Sequence, residues 1–169
     1  MQSKGFTLLE LLFTLAIGAI VLSLATPTLG SLITKYRLRA AAHDLLNDVQ
    51  LARNEAVNRA TRVTISNGDN HWHTGWTTFI DSNGDGTYDT GETVLYAREG
   101  YAADLSISGN SSVAAMISYV ATGESKSANG AFQAGTVTFC SNAVDKLTKL
   151  IISSNGRPRL ESSARSGNC

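Results

Sequence analysis

The sequence lacks the groupings that enzymatic chemistry needs. It has no nucleophile elbow, no zinc-binding helix and no glycine loop for cradling phosphate. Serine, histidine and aspartate are all present, but nothing organises them, so no enzyme is expected. It also lacks net charge: 14 Lys and Arg balance 14 Asp and Glu, and bulk composition therefore demands no polyanionic partner. No internal repeat is visible, and 169 residues leave room for one globular domain with an accessory segment. Cysteine is scarce, with only Cys140 and Cys169. In an exported chain that pair reads as one disulfide tying down the tail; in a cytosolic chain the two would be unrelated thiols.

Charge is scarcest at the front of the chain. Residues 6–25 read FTLLELLFTLAIGAIVLSLA, with Glu10 as the only ionisable side chain. About 20 apolar residues at a helical rise of about 1.5 Å span the hydrocarbon of a bilayer, which predicts a transmembrane helix. An ordinary secretory signal places its small residue after the apolar run. Here Gly5 comes before it, and a cut between Gly5 and Phe6 removes the basic leader 1–5 while leaving the apolar helix 6–30 on the mature protein. A carboxylate inside a membrane costs several kcal/mol unless it is neutralised or paired. Glu10 either sits near the helix start, where the dipole tolerates an anion, or pairs with the new α-amino group of Phe6, its own or that of a neighbouring subunit.

Pro27 has no backbone donor, and with Gly30 it predicts a kink or local melting over residues 23–30. Helical spacing then resumes through Leu38, Ala41, Leu45, Val49, Ala52 and Ala56, with Arg37, Asp44, Asp48, Arg53 and Arg59 turned away from that stripe. From Arg62 onward the pattern changes to short β-rich runs, RVTIS, GWTTFI, TVLYA, DLSIS, MISYV, TVTFC and KLIIS, separated by Gly, Asn, Asp and Ser. The fold class is therefore α+β: a long N-terminal helix, half apolar and half amphipathic, packed on an antiparallel β-sheet domain. The head spans residues 31–169, helix 31–61 followed by sheet 62–169.

Three loop segments invite a site. Residues 81–92 place Asp81, Asn83, Asp85 and Glu92 as the oxygen ligands of a calcium loop, with Thr87 offering its carbonyl and Gly86 the turn. The helix pair of such sites is absent, and the same residues also make a tight Asp/Asn/Gly hairpin connection. No cofactor is required, and calcium is the one candidate. His71-Trp72-His73 puts two imidazoles on one side of a strand, either as a weak metal pair without a third ligand or as surface polar groups beside a tryptophan. Over residues 145–165 the cations Lys146, Lys149, Arg157, Arg159 and Arg165 outnumber Asp145 and Glu161. Arg157 and Arg159, two apart with Pro158 between, face one way on an extended segment and could grip successive phosphates; a glycine turn with solvated arginines is the other reading.

Gly5-Phe6-Thr7-Leu8-Leu9-Glu10 resembles the signal of type IV pilins and type II secretion pseudopilins. The resemblance implies that a prepilin peptidase cuts after Gly5 and N-methylates Phe6, that Glu10 aids subunit docking, and that Pro27 matches a helix-kinking proline common in pilins. It implies a single pass in the inner membrane with a periplasmic head, then an extracellular filament of major and minor pilin subunits. Gly156-Arg157-Pro158-Arg159 is similar to the Gly-Arg-x-Arg motif of FimT-type minor pilins, where this region implies non-specific DNA binding during natural transformation. Cys140 and the terminal Cys169 fit the same group. FimU-type minor pilins and H-type pseudopilins share the fold and carry similar turns, so a priming subunit that never meets DNA and a type II secretion pseudopilin stand as alternatives.

Overall fold

The computed structural model describes residues 5–101 and 104–169, without the side chains of residues 24–28. One helix, α1 (Leu8–Arg59), runs for 52 residues, about 78 Å at the ordinary rise. Thr7 caps it: its hydroxyl accepts the Glu10 N–H at 3.2 Å, satisfying one of the donors that a helix start leaves open. The helix ends at Ala60, in the left-handed conformation at φ 51°.

The local melting expected around Pro27 is not found, because helix is continuous through residues 23–30. A proline removes one intrahelical bond, and the long flanking helices supply enough others to carry the backbone across. The Pro27 side chain, assigned a role in assembly, lies outside the described residues, as do residues 1–4 of the leader. Phe6 and the apolar side chains from Leu8 to Leu22 are exposed. Among the described residues no helix is long and apolar enough to cross a membrane.

The second half of α1 buries Leu38, Ala41, Ala42, Leu45, Val49, Ala52 and Ala56, the stripe that helical spacing predicts. Four of these are alanines, which let strands approach the helix closely. Two four-stranded antiparallel sheets pack there. The first has the order β3 (Thr93–Glu99), β2 (Gly75–Ile80), β1 (Val63–Ser66), β5 (Met116–Tyr119); the second has the order β4 (Ser106–Gly109), β6 (Gly135–Cys140), β7 (Lys146–Ile152), β8 (Pro158–Ala164). The core joins the helix stripe to Val63, Ile65, Trp72, Trp76, Ile117 and Tyr119 from one side and Ile107, Val137, Phe139, Leu150 and Ile152 from the other.

Two acidic residues of α1, which the periodicity turned away from the core stripe, bond the head instead. Asp48 is buried and accepts from Trp76 Nε1 at 2.9 Å and Arg98 Nε at 2.8 Å, while Asp44 accepts from the Tyr101 hydroxyl at 2.9 Å. These bonds clamp β2, β3 and the segment after them onto the helix. The Arg98 fork on Asp48 also holds the guanidinium above its ordinary pKa. At the far end, Cys140 and Cys169 form a disulfide, closing the tail against the end of β6.

Candidate functional site

Strand β8 is an edge strand, which is why Pro158 can open it: the missing N–H has no ladder partner to lose. The hairpin from β7 to β8 turns through residues 153–157. Ser153 N–H donates to the Arg157 carbonyl at 3.1 Å, Gly156 N–H to the Ser153 carbonyl at 2.9 Å, and Arg157 N–H to Ser153 Oγ at 3.1 Å. Gly156 takes φ +74°, and a Cβ there would meet Ser125 N, Gly123 O and Tyr119 Cε1 at 2.8, 2.9 and 2.9 Å. The buried Tyr119 hydroxyl donates to its carbonyl at 2.8 Å. The glycine of the basic motif therefore seats the turn against β5 and the loop after it, and does not itself face a ligand.

Register sorts the predicted basic residues into separate places. On β7, Thr148, Leu150 and Ile152 face the core, so Lys149 points outward, opposite Glu161 on β8. Arg159 shares that outer face and lies 3.8 Å from Glu161, both side chains more than half exposed; such a pair contributes well under about 1 kcal/mol. Arg157 is exposed and, among the described residues, has no carboxylate partner. It lines a cleft of about 320 Å³ with Pro158 and with Gln50, Arg53 and Asn54 of α1. Arg159 is not among the residues that line that cleft.

Lys146 pairs with Ala164 at the other end of the hairpin, about 20 Å from the turn at the strand's ordinary rise. Arg165 is also displaced from the set. Its Nε donates to the Val144 carbonyl at 3.0 Å and its Nη1 to the Gly167 carbonyl at 2.6 Å and Asn142 Oδ1 at 3.3 Å. That side chain fastens the tail beside the disulfide, a structural task that leaves little of its fork for a ligand. Arg53, which sequence reasoning treated as helix surface, enters instead; its Nε donates to the Gly123 carbonyl at 2.8 Å. No sequence signal ties residue 53 to residue 157, since only the tertiary fold brings them together.

The 81–92 loop forms a closed turn. Asp81 is buried and accepts from Thr64 Oγ1 at 2.7 Å and from the N–H groups of Gly84 and Gly86 at 2.7 and 3.1 Å. Glu92 accepts from Ser82 N–H and Asp89 N–H at 2.8 and 3.1 Å. Asn83 bonds Asp85, whose other oxygen accepts from the Thr87 N–H. Among the described residues no group of three or more His, Cys, Asp or Glu side chains is placed to hold a metal. His71 and His73 are not on a strand. The segment Trp72–Thr74 is a single 3₁₀ turn, with Trp72 buried and its Nε1 donating to the Val113 carbonyl at 2.9 Å. The indole's burial sets the local geometry and leaves the imidazoles at the surface.

Residues 41–156 match the family described as type II transport protein GspH, and residues 1–26 match the prokaryotic N-terminal methylation motif. The chain is similar to competence protein ComGD of Bacillus subtilis, 38% identical over 64 residues that make up 38% of this chain and 45% of that protein. It is also similar to the pilin-like protein PilA1 of Thermus thermophilus, 37% identical over 95 residues, 54% of this chain and 57% of that one. It thus spans about half the length of these curated relatives. Among solved structures it is similar to the type IV minor pilin FimU of Pseudomonas aeruginosa, with 27% identity, a TM-score of 0.60 and coverage of 76% of this chain and 90% of that one. The family match ends at Gly156, so Arg157 and Arg159 lie beyond it and must be argued from this chain's own geometry.

Proposed function

The chain belongs to the GspH family of type IV pilin-like proteins, and from that premise we propose that it is a minor pilin that binds extracellular DNA non-specifically. The leader 1–5 is removed between Gly5 and Phe6, and the apolar segment 6–25 anchors the subunit in the inner membrane and then packs into the filament core beside other pilins. Its exposed apolar side chains from Leu8 to Leu22 need such a covering, and Glu10 sets the register with a neighbour's α-amino group. The head projects outward and offers its arginine turn to DNA, which filament retraction would carry inward. The similarity to a competence protein and to a minor pilin supports this reading.

The observation that carries the DNA reading is Arg157: an exposed guanidinium with no carboxylate partner among the described residues, on a turn fixed by the buried Gly156. A few phosphate contacts give non-specific dissociation constants of about 10⁻⁴ to 10⁻⁶ M, so several subunits in one filament would add avidity. The test is a salt titration of duplex binding by the full chain in non-ionic detergent, comparing wild type with Arg157→Gln plus Arg159→Gln. Loss of most affinity with a salt slope shallower by about 2 supports the reading. No binding by wild type even at low salt would leave a structural priming subunit or a secretion pseudopilin.

A further inference from the structure

The geometry points to a phosphate-binding groove between α1 and the turn before β8, in which Arg53 and Arg157 clamp the nucleic-acid backbone with the amides of Gln50 and Asn54. This rests on the DNA reading above and deepens it, because it moves the contact surface off the outer face of β8 and adds residues of the helix that the Gly-Arg-x-Arg motif does not contain.

The cleft is lined by Gln50, Arg53, Asn54, Arg157 and Pro158: two arginines, two carboxamide residues and no acidic residue. Two fixed cations in one cleft repel each other unless an anion lies between them. Arg53 is held in place by its Nε bond to the Gly123 carbonyl, which uses one of the five donors of the guanidinium and leaves the terminal nitrogens to find another acceptor. Among the described residues Arg53 has no ion pair. Gln50 and Asn54 are four apart on one exposed edge of α1, so they flank the arginines one helical turn from each other.

An oxyanion that accepts several N–H donors in a planar fork fits this lining, and a phosphodiester does so repeatedly along a strand. The outer face of β8 is the poorer surface, since Glu161 stands beside Arg159 and opposite Lys149. Tyr119 and the 123–125 loop lock both walls together: the same Gly123 whose carbonyl holds Arg53 also lies against Gly156. The two backbone walls are therefore tied together without a ligand, and Arg53 is already oriented on one of them.

The test places carboxylates in the groove without changing its shape. Gln50→Glu plus Asn54→Asp is isosteric and sits on exposed helix surface. Its binding to a labelled DNA duplex is compared with wild type, Arg157→Gln and Lys149→Gln, all as full chains in non-ionic detergent, with melting curves to confirm folding. At about 50 mM salt the double variant loses at least about tenfold in affinity and matches Arg157→Gln, while Lys149→Gln loses less than about threefold. If Arg157→Gln abolishes binding but the double variant binds like wild type, the groove is wrong and the DNA reading stands. If wild type binds no duplex even at low salt, both fall.

Discussion

Replacing Gly156 with alanine separates the two tasks of the basic motif. The backbone there is at φ +74°, where an L-residue with a Cβ costs about 1 kcal/mol or more. The added methyl would also fall 2.8 to 2.9 Å from Ser125 N, Gly123 O and Tyr119 Cε1. Two of these are backbone atoms and the third belongs to a fully buried ring, so none can swing aside. The turn must lift, and that breaks the 2.8 Å bond from the Tyr119 hydroxyl to the Gly156 carbonyl, leaving a buried donor unsatisfied at about 1–3 kcal/mol. The total is about 2–4 kcal/mol, or a melting temperature lower by roughly 10 °C for a head of this size. Gly130→Ala is the matched control: its φ is +81°, but nothing lies within 4 Å of the new methyl, so only the conformational cost of about 1 kcal/mol applies. Melting curves read both. Equal shifts within about 2 °C would refute the packing argument. DNA affinity should fall in Gly156→Ala although no charge changes, because Arg157 moves with the turn.

Burial holds the phenols of Tyr101 and Tyr119 above their ordinary pKa, helped at Tyr101 by its bond to Asp44 and opposed at Tyr119 by Arg53. A folded-state pKa above the unfolded value near 10 leaves their contribution intact below about pH 10 and removes it as pH rises beyond. Melting temperature should therefore hold from about pH 7 to 9 and fall above about 10, with a shallower fall in Tyr119→Phe. Cys169→Ser opens the 29-residue link to Cys140 and should lower stability by about 3–4 kcal/mol in denaturant titrations; an unchanged midpoint would mean the tail is held by Arg165 alone. Asp81→Ala strands the Gly84 and Gly86 N–H donors at about 2–3 kcal/mol, while the Thr64 hydroxyl can still donate to Ser118 Oγ. Because the loop's oxygens already accept N–H bonds, millimolar calcium should leave the wild-type melting curve in place, and a rise would identify a cation site in residues 81–92.

The fold was largely legible because its signals are periodic. The stripe from Leu38 to Ala56 is buried as its spacing predicts, and GWTTFI coincides with β2 from Gly75 to Ile80. What escaped has physical causes. Strand β8 reads PRLESSA, with no β-branched or aromatic run to announce it. As an edge strand it needs only one ladder, and β7 supplies that by register. His71-Trp72-His73 alternates like a strand, yet the indole's need for burial and for a carbonyl partner wins, and the segment closes a 3₁₀ turn on Val113. Asp48 looked like a solvated charge because periodicity cannot see that Trp76 and Arg98, some 28 and 50 residues later, will supply its hydrogen bonds.

The site was legible in its residue types and not in its arrangement. A motif is written along one strand, whereas a groove is built between elements, and only Arg157 of the predicted cations belongs to both. Its proper neighbours are on the helix, reached through a chain of contacts that starts at a glycine: Gly156 seats on Gly123 and Tyr119, and the Gly123 carbonyl orients Arg53. Lys146 and Arg165, close in sequence to the motif, sit at the opposite end of a seven-residue strand pair. The strand's length alone carries them away from the turn, so charge counted along a sequence overstates the charge any one ligand meets. The helix proposed to anchor the subunit thereby also forms one wall of the proposed groove, which would join assembly and ligand capture in a single element.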